Sequence, residues 1–211
     1  MPDFSTLTLF VVAAVALIVT PGPAVLYVVA RSIDQGRMAG VVSTLGIGVG
    51  TVFHVAAAAL GVSALLVSSA LAFNVVKYLG AAYLIYLGIR KFTVSESVTS
   101  LETVKPQKLA RVFYQGIAVN VLNPKTALFF FAFLPQFVDV ARGDVALQVF
   151  FLGTIFVMIG IVSDSVWAVV AGTIGRWLKG NRRFLMGQRY FAGTVFIALG
   201  ITTALSGSSK K

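Results

Sequence analysis

The sequence predicts an all-α integral membrane protein of six transmembrane helices, arranged as two inverted three-helix repeats. Three observations carry that prediction. The chain of 211 residues is 58% hydrophobic and only 11% charged, more apolar surface than one soluble core can hide. Its apolar runs fall into two sets of three, separated by one long polar connection. Within each set, one run is interrupted by proline.

Taking about 20 apolar residues per crossing, spans are expected near 5–30, 41–66, 71–90, 113–138, 146–173 and 186–205. The first run, Phe4 to Val19, follows Asp3 without a basic segment, so it reads as a mature span rather than a cleaved signal peptide. Residues 93–112 hold Glu96, Glu102, Lys105, Pro106, Lys108 and Arg111 without apolar periodicity, and are expected to be a polar cytoplasmic linker. The first repeat is then 1–92 and the second 113–211.

The halves can be overlaid. At an offset of 103 residues Pro21 falls on Pro124, Gly40 on Gly143, and Gly50-Thr51-Val52-Phe53 on Gly153-Thr154-Ile155-Phe156. Beyond the second loop the offset becomes 112, matching Lys77-Tyr78 to Arg189-Tyr190 and Leu87-Gly88 to Leu199-Gly200. An odd number of spans per repeat requires the second copy to be inverted, an architecture common among secondary transporters.

The two interruptions are Thr20-Pro21-Gly22-Pro23 and Asn120 to Thr126, which contains Asn123-Pro124-Lys125. Proline removes an amide donor and frees a carbonyl. At bilayer depth such backbone survives only inside protein or against a water-filled cavity. Paired breaks of this kind point to a binding site near the midplane, so Thr20, Pro21, Gly22, Pro23, Asn120, Asn123, Pro124 and Lys125 are the candidate substrate-binding residues.

Ionisable side chains at bilayer depth are costly and mark function by default. His54 shares a face with the small residues Gly46, Gly50, Ala58 and Gly61. It is either a neutral imidazole hydrogen-bonded across a close helix contact or a proton-handling group. Asp164 shares a stripe with Gly153, Gly160 and Ala168. It either pairs with Lys125 to staple two helices or exchanges a proton during a transport cycle. Lys125 itself would attract a carboxylate or snorkel along an aqueous cavity. Gly46, Gly50, Gly153 and Gly160 are expected to be contact glycines, and their stripes permit a homodimer. Gln115 adds a neutral hydrogen-bonding group, and the Phe129-Phe130-Phe131 run is expected to face lipid and neighbouring helices.

The net charge of +10 does not point to nucleic acid, because the basic residues cluster at the ends of apolar runs, where juxtamembrane cations belong. The absence of cysteine excludes disulfides, thiolate metal sites and dithiol redox chemistry. A single histidine makes a metal site unexpected, and no cofactor is implied.

The sequence resembles the lysine exporter (LysE/RhtB) family of bacterial amino-acid exporters. The motifs that carry the resemblance are Thr20-Pro21-Gly22-Pro23, Arg31-Ser32, Gln35-Gly36-Arg37, Gly46 to His54, Lys77 to Gly88, Leu122-Asn123-Pro124-Lys125 and Phe133-Leu134-Pro135-Gln136-Phe137. The resemblance implies a multi-pass protein of the bacterial inner membrane that exports amino acids or related small metabolites by proton-coupled antiport, with no enzymatic activity. Where some relatives carry an acidic residue or Asn after Pro-Gly-Pro, this chain has Ala24, and where an aspartate is common it has Thr51. That favours a small neutral amino acid over a cationic one. Two alternatives are a cation or metal efflux protein of similar architecture, and an intramembrane hydrolase using Ser163 or Ser165 with His54 and Asp164.

Orientation follows from the basic residues. Arg31, Arg37, Arg90, Lys91, Lys105, Lys108, Arg111, Arg176, Lys179, Arg182, Arg183 and Arg189 lie on the side of the first, third and fifth loops, against Lys77, Arg142, Lys210 and Lys211 opposite. The positive-inside rule therefore puts both termini outside the cytoplasm. A topology reporter fused after Lys211 is expected to be active only when it reads the non-cytoplasmic side; activity confined to the cytoplasm would overturn the orientation or the span count.

Overall fold

The computed structural model describes residues 2–68, 70–93, 107–180 and 182–205, and all regular structure among them is helical. Much of the expected linker, together with the side chains of Lys91, Arg176, Lys179, Arg182, Arg183 and Arg189 and the terminal lysines, lies outside the described residues. The part of the linker that is described differs from expectation. Leu109–Val112 already belong to a helix, because Leu109 and Val112 supply the first apolar turn.

Helix α1 (Phe4–Val19) starts at Asp3, whose carboxylate accepts from the Thr6 amide at 2.8 Å. The hydrogen bonds from Thr6, then Ser5, hold the Asp3 carboxyl down at about 2. A depressed value stabilises the fold at pH above the ordinary 3.8 and the contribution is lost only as pH falls toward 2, so this cap does not titrate near neutrality. Arg142 ties the cap to the loop before the fifth expected span, with ion pairs to Asp3 at 3.3 Å and to Asp139 at 3.1 Å. Helix α1 stops at Thr20, held extended by the proline that follows.

Pro23 then opens α2 (Pro23–Gln35) at a position where its missing amide costs nothing, and Gly36 ends it at φ +88°. α3 (Arg37–Ser68) and α4 (Ala70–Thr93) follow. In the second half, α5 (Leu109–Val121) breaks before α6 (Pro124–Leu128), which is capped by Asn123. The winding widens to a π-turn at Phe129–Phe133 and tightens to a 3-10 turn at Leu134–Phe137, ahead of α7 (Val145–Gly180) and α8 (Arg182–Leu205). The expected first and fourth spans are thus bent pairs. α1 and α2 meet at 50°, and α5 meets the segment from Pro124 to Phe137 at 47°. Among the described residues, α3, α7 and these two pairs are long and apolar enough to cross a membrane, and Gly193–Leu205 is a shorter apolar helix.

α3 packs along α7 and α5, α7 along α2, and α4 along α8. The α4–α8 contact reads the same from either side. A Cβ on Gly88 would meet Ile197 Cγ1 at 2.6 Å and the Gly193 carbonyl at 2.8 Å; a Cβ on Gly200 would meet Ile85 Cγ1 at 2.6 Å and the Ala81 carbonyl at 2.8 Å. These atoms correspond at the sequence offset of 112. The helices run antiparallel, since higher positions on one meet lower positions on the other. The offset of 103 fails at one place: Gly40 sits inside α3 against Ser32 and Ala168, whereas Gly143 is a turn residue at φ +116°.

Three of the four expected contact glycines are that. A Cβ on Gly46 would lie 2.2 Å from the Phe113 carbonyl, one on Gly50 2.9 Å from Asn120, and one on Gly153 2.6 Å from Val55. Gly160 is not: a Cβ there meets nothing within 4 Å, because α7 faces a cavity at that point. Gly46, Gly50 and Gly153 of the stripes that permit a homodimer meet other helices of the same chain, and Gly160 faces the cavity. The phenylalanine run also differs from expectation. Phe129 and Phe130 are fully buried and join Phe10, Phe133, Phe137 and Phe156 in an aromatic core, with Phe129 and Phe156 centred 4.5 Å apart. The π-turn rotates them inward, away from lipid. Of the cations used to orient the chain, Arg31 and Lys77 are buried in protein rather than juxtamembrane; removing one from each side leaves the sign of the asymmetry unchanged.

Gly46→Leu is expected to force α3 from α5 and lower stability by at least about 1–3 kcal/mol, whereas Gly160→Ala should leave it unchanged. Thermal unfolding of the two variants in the same lipid or detergent environment checks the contrast.

Candidate functional site

The two breaks meet. Lys125 lies along Gly22, with Cδ 3.0 Å from where a Cβ would stand, and its Nζ donates to the Thr20 carbonyl at 2.6 Å. That carbonyl closes the C-terminal end of α1, where a positive charge is favoured. A larger residue at position 22 would push the ammonium away, which accounts for the glycine between two prolines.

Beside this contact is a cavity of about 40 Å³. At roughly 10–15 Å³ per water it holds about three. Thr44, Thr51, Asn120, Asn123, Lys125 and Asp164 give the cavity its polar wall, against an apolar side that includes Ile18, Ile47 and Phe156. Asp164 is 5% and Lys125 7% exposed. The two opposite charges therefore share one small, largely protein-enclosed space, and Asp164 feels the Lys125 charge. Ala24 and Val25, in the first turn of α2, also line it, which turns the amide end of that helix toward the cavity.

Asn120 holds the second break together. Its side-chain amide donates to the Ile47 carbonyl at 3.0 Å and to Thr51 Oγ1 at 2.8 Å. Its Oδ1 accepts from Thr126 Oγ1 at 3.0 Å and Asn123 Nδ2 at 3.3 Å. All four hydrogen-bonding positions of the amide are filled, so Asn120 fixes α5 against α3 as well as lining the cavity. Its backbone carbonyl is the one that Pro124 leaves without a helical donor. The Asn123 amide and His54 Nε2 reach it at 3.0 and 2.9 Å. A carbonyl partner requires His54 to carry its proton on Nε2. The ring also stacks on Phe130, with centres 6.3 Å apart.

The structure thus gathers Lys125, Asn120, Asn123 and Asp164 around one cavity and sets Thr20 and Gly22 against Lys125. His54 is absent from the cavity wall; its ring repairs the broken helix from behind. The hydrogen bond and ring contact of His54 are thus to the Asn120 carbonyl and Phe130, rather than to Ser163, Ser165 or Asp164. Among the described residues no three His, Cys, Asp or Glu side chains come together as a metal cage would require. Thr44 and Thr51 were not singled out as site residues, because each occupies an ordinary helical position and hydrogen-bonds back to its own helix.

A helical membrane protein whose two broken helices enclose a polar cavity is the architecture of a translocator. This chain belongs to the LysE type translocator family, whose sequence model matches residues 15–207. It is 29% identical over 195 residues to the homoserine/homoserine lactone efflux protein of Salmonella typhimurium, covering 92% of this chain and 94% of that one. Against the leucine efflux protein of Salmonella choleraesuis identity is 32% over 148 residues, 69% of each chain. Against the uncharacterized membrane protein YrhP of Bacillus subtilis it is 29% over 211 residues, 95% of this chain and 99% of the other. No solved structure matches. The protein is accordingly a transporter of the bacterial inner membrane, and its family members include amino-acid efflux proteins.

Asn120→Ala removes the four-way amide and leaves the Thr51, Thr126 and Asn123 side chains short of a partner. The expected loss is about 1–3 kcal/mol of stability, read as a lower unfolding midpoint.

Proposed function

We propose that this protein exports a small neutral amino acid from the cytoplasm in exchange for protons, and that the cavity between Lys125 and Asp164 is its central site. The observation that carries the reading is the enclosure of both charges in one cavity at the junction of two broken helices. A zwitterion needs an anion for its ammonium and positive groups for its carboxylate. Asp164 supplies the first; the Lys125 ammonium and the amide end of α2 supply the second. With Ala24 and Thr51 in the wall, no second carboxylate is present there to favour a cationic side chain.

The two halves act as inverted three-helix repeats, making six spans with both termini outside. The matched bends of 50° and 47° and the reciprocal Gly88 and Gly200 contacts support this. Rocking of one repeat against the other would open the cavity to each side in turn. The relatives named for efflux of homoserine and of leucine agree with an amino acid of neutral side chain. In this scheme Asp164 carries the coupling proton, ionised when it holds the substrate ammonium and protonated when the site returns empty.

The test is uptake into inverted vesicles with and without an imposed pH gradient, at matched protein level. Asp164→Asn keeps shape but cannot titrate, so gradient-driven uptake should stop while exchange of substrate for substrate persists. If Asp164 only staples Lys125, the same change strands a buried cation, costing several kcal/mol of stability, and adding Lys125→Met should recover both stability and gradient-driven transport. Gradient-driven uptake surviving in Asp164→Asn excludes the coupling role.

A further inference from the structure

A second buried cation lies outside the cavity wall. Arg31, on α2, is only 4% exposed. Its Nη2 donates to Gln115 Oε1 at 2.7 Å, and its guanidinium carbon stands 5.5 Å from the centre of the Tyr27 ring, one turn earlier on the same helix. Nε and Nη1 are buried with no acceptor. A guanidinium has five N–H donors, and leaving most of them unmatched beside an uncompensated buried charge is unfavourable for the fold alone. The Gln115 hydrogen bond and the Tyr27 ring offset only part of that cost. A neutral side chain would bond Gln115 as well.

The position gives a reason. Arg31 follows Ala24 of the cavity wall by seven residues, about 10 Å along the helix at 1.5 Å per residue, on the half of α2 that leads away from the break toward Gly36. Across from it, α5 presents Gln115 and the Val112 carbonyl. The Tyr27 hydroxyl lies 3.0 Å from that carbonyl and 3.2 Å from Gln115 Oε1. Further along, Gln35 Oε1 accepts from the Gln107 amide at 2.9 Å. These contacts close the α2–α5 seam on the side of the first loop, and Arg31 stands in the seam with donors to spare.

We propose that Arg31 is a carboxylate-binding station in the α2–α5 seam, on the cytoplasmic side of the central cavity. It takes the carboxylate of the outgoing solute before the Lys125–Asp164 site does, and Gln115 holds the guanidinium in place while the station is empty. The direction of traffic rests on the export reading above; carboxylate binding at Arg31 does not.

The experiment separates the two. Purified protein is melted at constant ionic strength while sodium acetate, alanine or ethylammonium chloride is titrated in. A ligand that binds the folded state raises its melting temperature, so acetate and alanine should raise that of the wild type, while any ethylammonium rise belongs to Asp164 and should not depend on Arg31. Arg31→Gln should at least halve the acetate rise, the remainder belonging to the Lys125 side of the central cavity, and should leave any ethylammonium response unchanged. Its own ligand-free melting temperature should equal or exceed the wild-type value, since it removes an unmatched buried charge. Arg31→Lys, which keeps a charge without the planar fork, should retain a smaller rise. In inverted vesicles, Arg31→Gln should increase the KM for alanine about tenfold, the equivalent of one charge-assisted hydrogen bond.

An acetate response undiminished in Arg31→Gln, a wild type that responds to neither acetate nor alanine, or an ethylammonium response that Arg31→Gln reduces as much as the acetate one overturns the station. A response to acetate but not alanine overturns its assignment to the exported amino acid. If wild-type vesicles carry no amino acid at all, the export reading falls, and the acetate melts still decide Arg31.

Discussion

The hydrogen bond from Lys125 to the Thr20 carbonyl is the constraint on which the rest depends. It joins residues 105 positions apart, both at proline breaks, where each half of the chain has unpaired backbone to satisfy. Inside a membrane those groups have no water to turn to. The fold answers by making each half serve the other's break. Gly22 clears space for the lysine stem, the ammonium covers the end of α1, and Asn120 with His54 secures the end of α5. The cavity is what remains where the helices bend around this junction.

That arrangement explains why polar side chains cluster here without filling the space. Asn120 spends its whole amide on neighbours, and Thr44 and Thr51 bond back to their own helix. Lys125 and Asp164 are the two charged groups of the cavity wall. A buried pair of opposite charges is a poor stabiliser compared with apolar contacts of similar size. Its retention in a wall otherwise rich in Ile18, Ile47, Phe156 and Ile161 fits a role in binding. The aromatic core from Phe10 to Phe156 meanwhile supplies rigid support on the α6 side of the cavity.

Arg31 extends the same logic along α2. Arg31 and Asp164 are both nine-tenths buried or more, yet they lie on different helices and only Asp164 reaches the cavity. The seam that holds Arg31 is bridged by Tyr27 and Gln115.

The sequence by itself determined the membrane class, the two breaks and the identity of the residues at them. Each of these follows from a local rule: apolar run length, the missing amide of proline, and the cost of a charge at bilayer depth. It also marked the α4–α8 contact, because Gly88 and Gly200 recur in equivalent apolar surroundings and each meets the other helix. Tertiary structure alone decided what each polar group does. His54 and Asp164 look alike as ionisable residues on small-residue stripes, but His54 is aimed at a carbonyl across a helix contact and Asp164 at open space. Gly160 and Gly153 belong to one stripe, yet only Gly153 touches a neighbour. Phe129 and Phe130 pack inward on the π-turn, and Arg31, at the end of an apolar run where juxtamembrane cations are expected, is buried against Gln115. Periodicity ranks the faces of one helix; which neighbour, void or lipid a face meets is set by helices more than 80 residues away, whose bends no local pattern records.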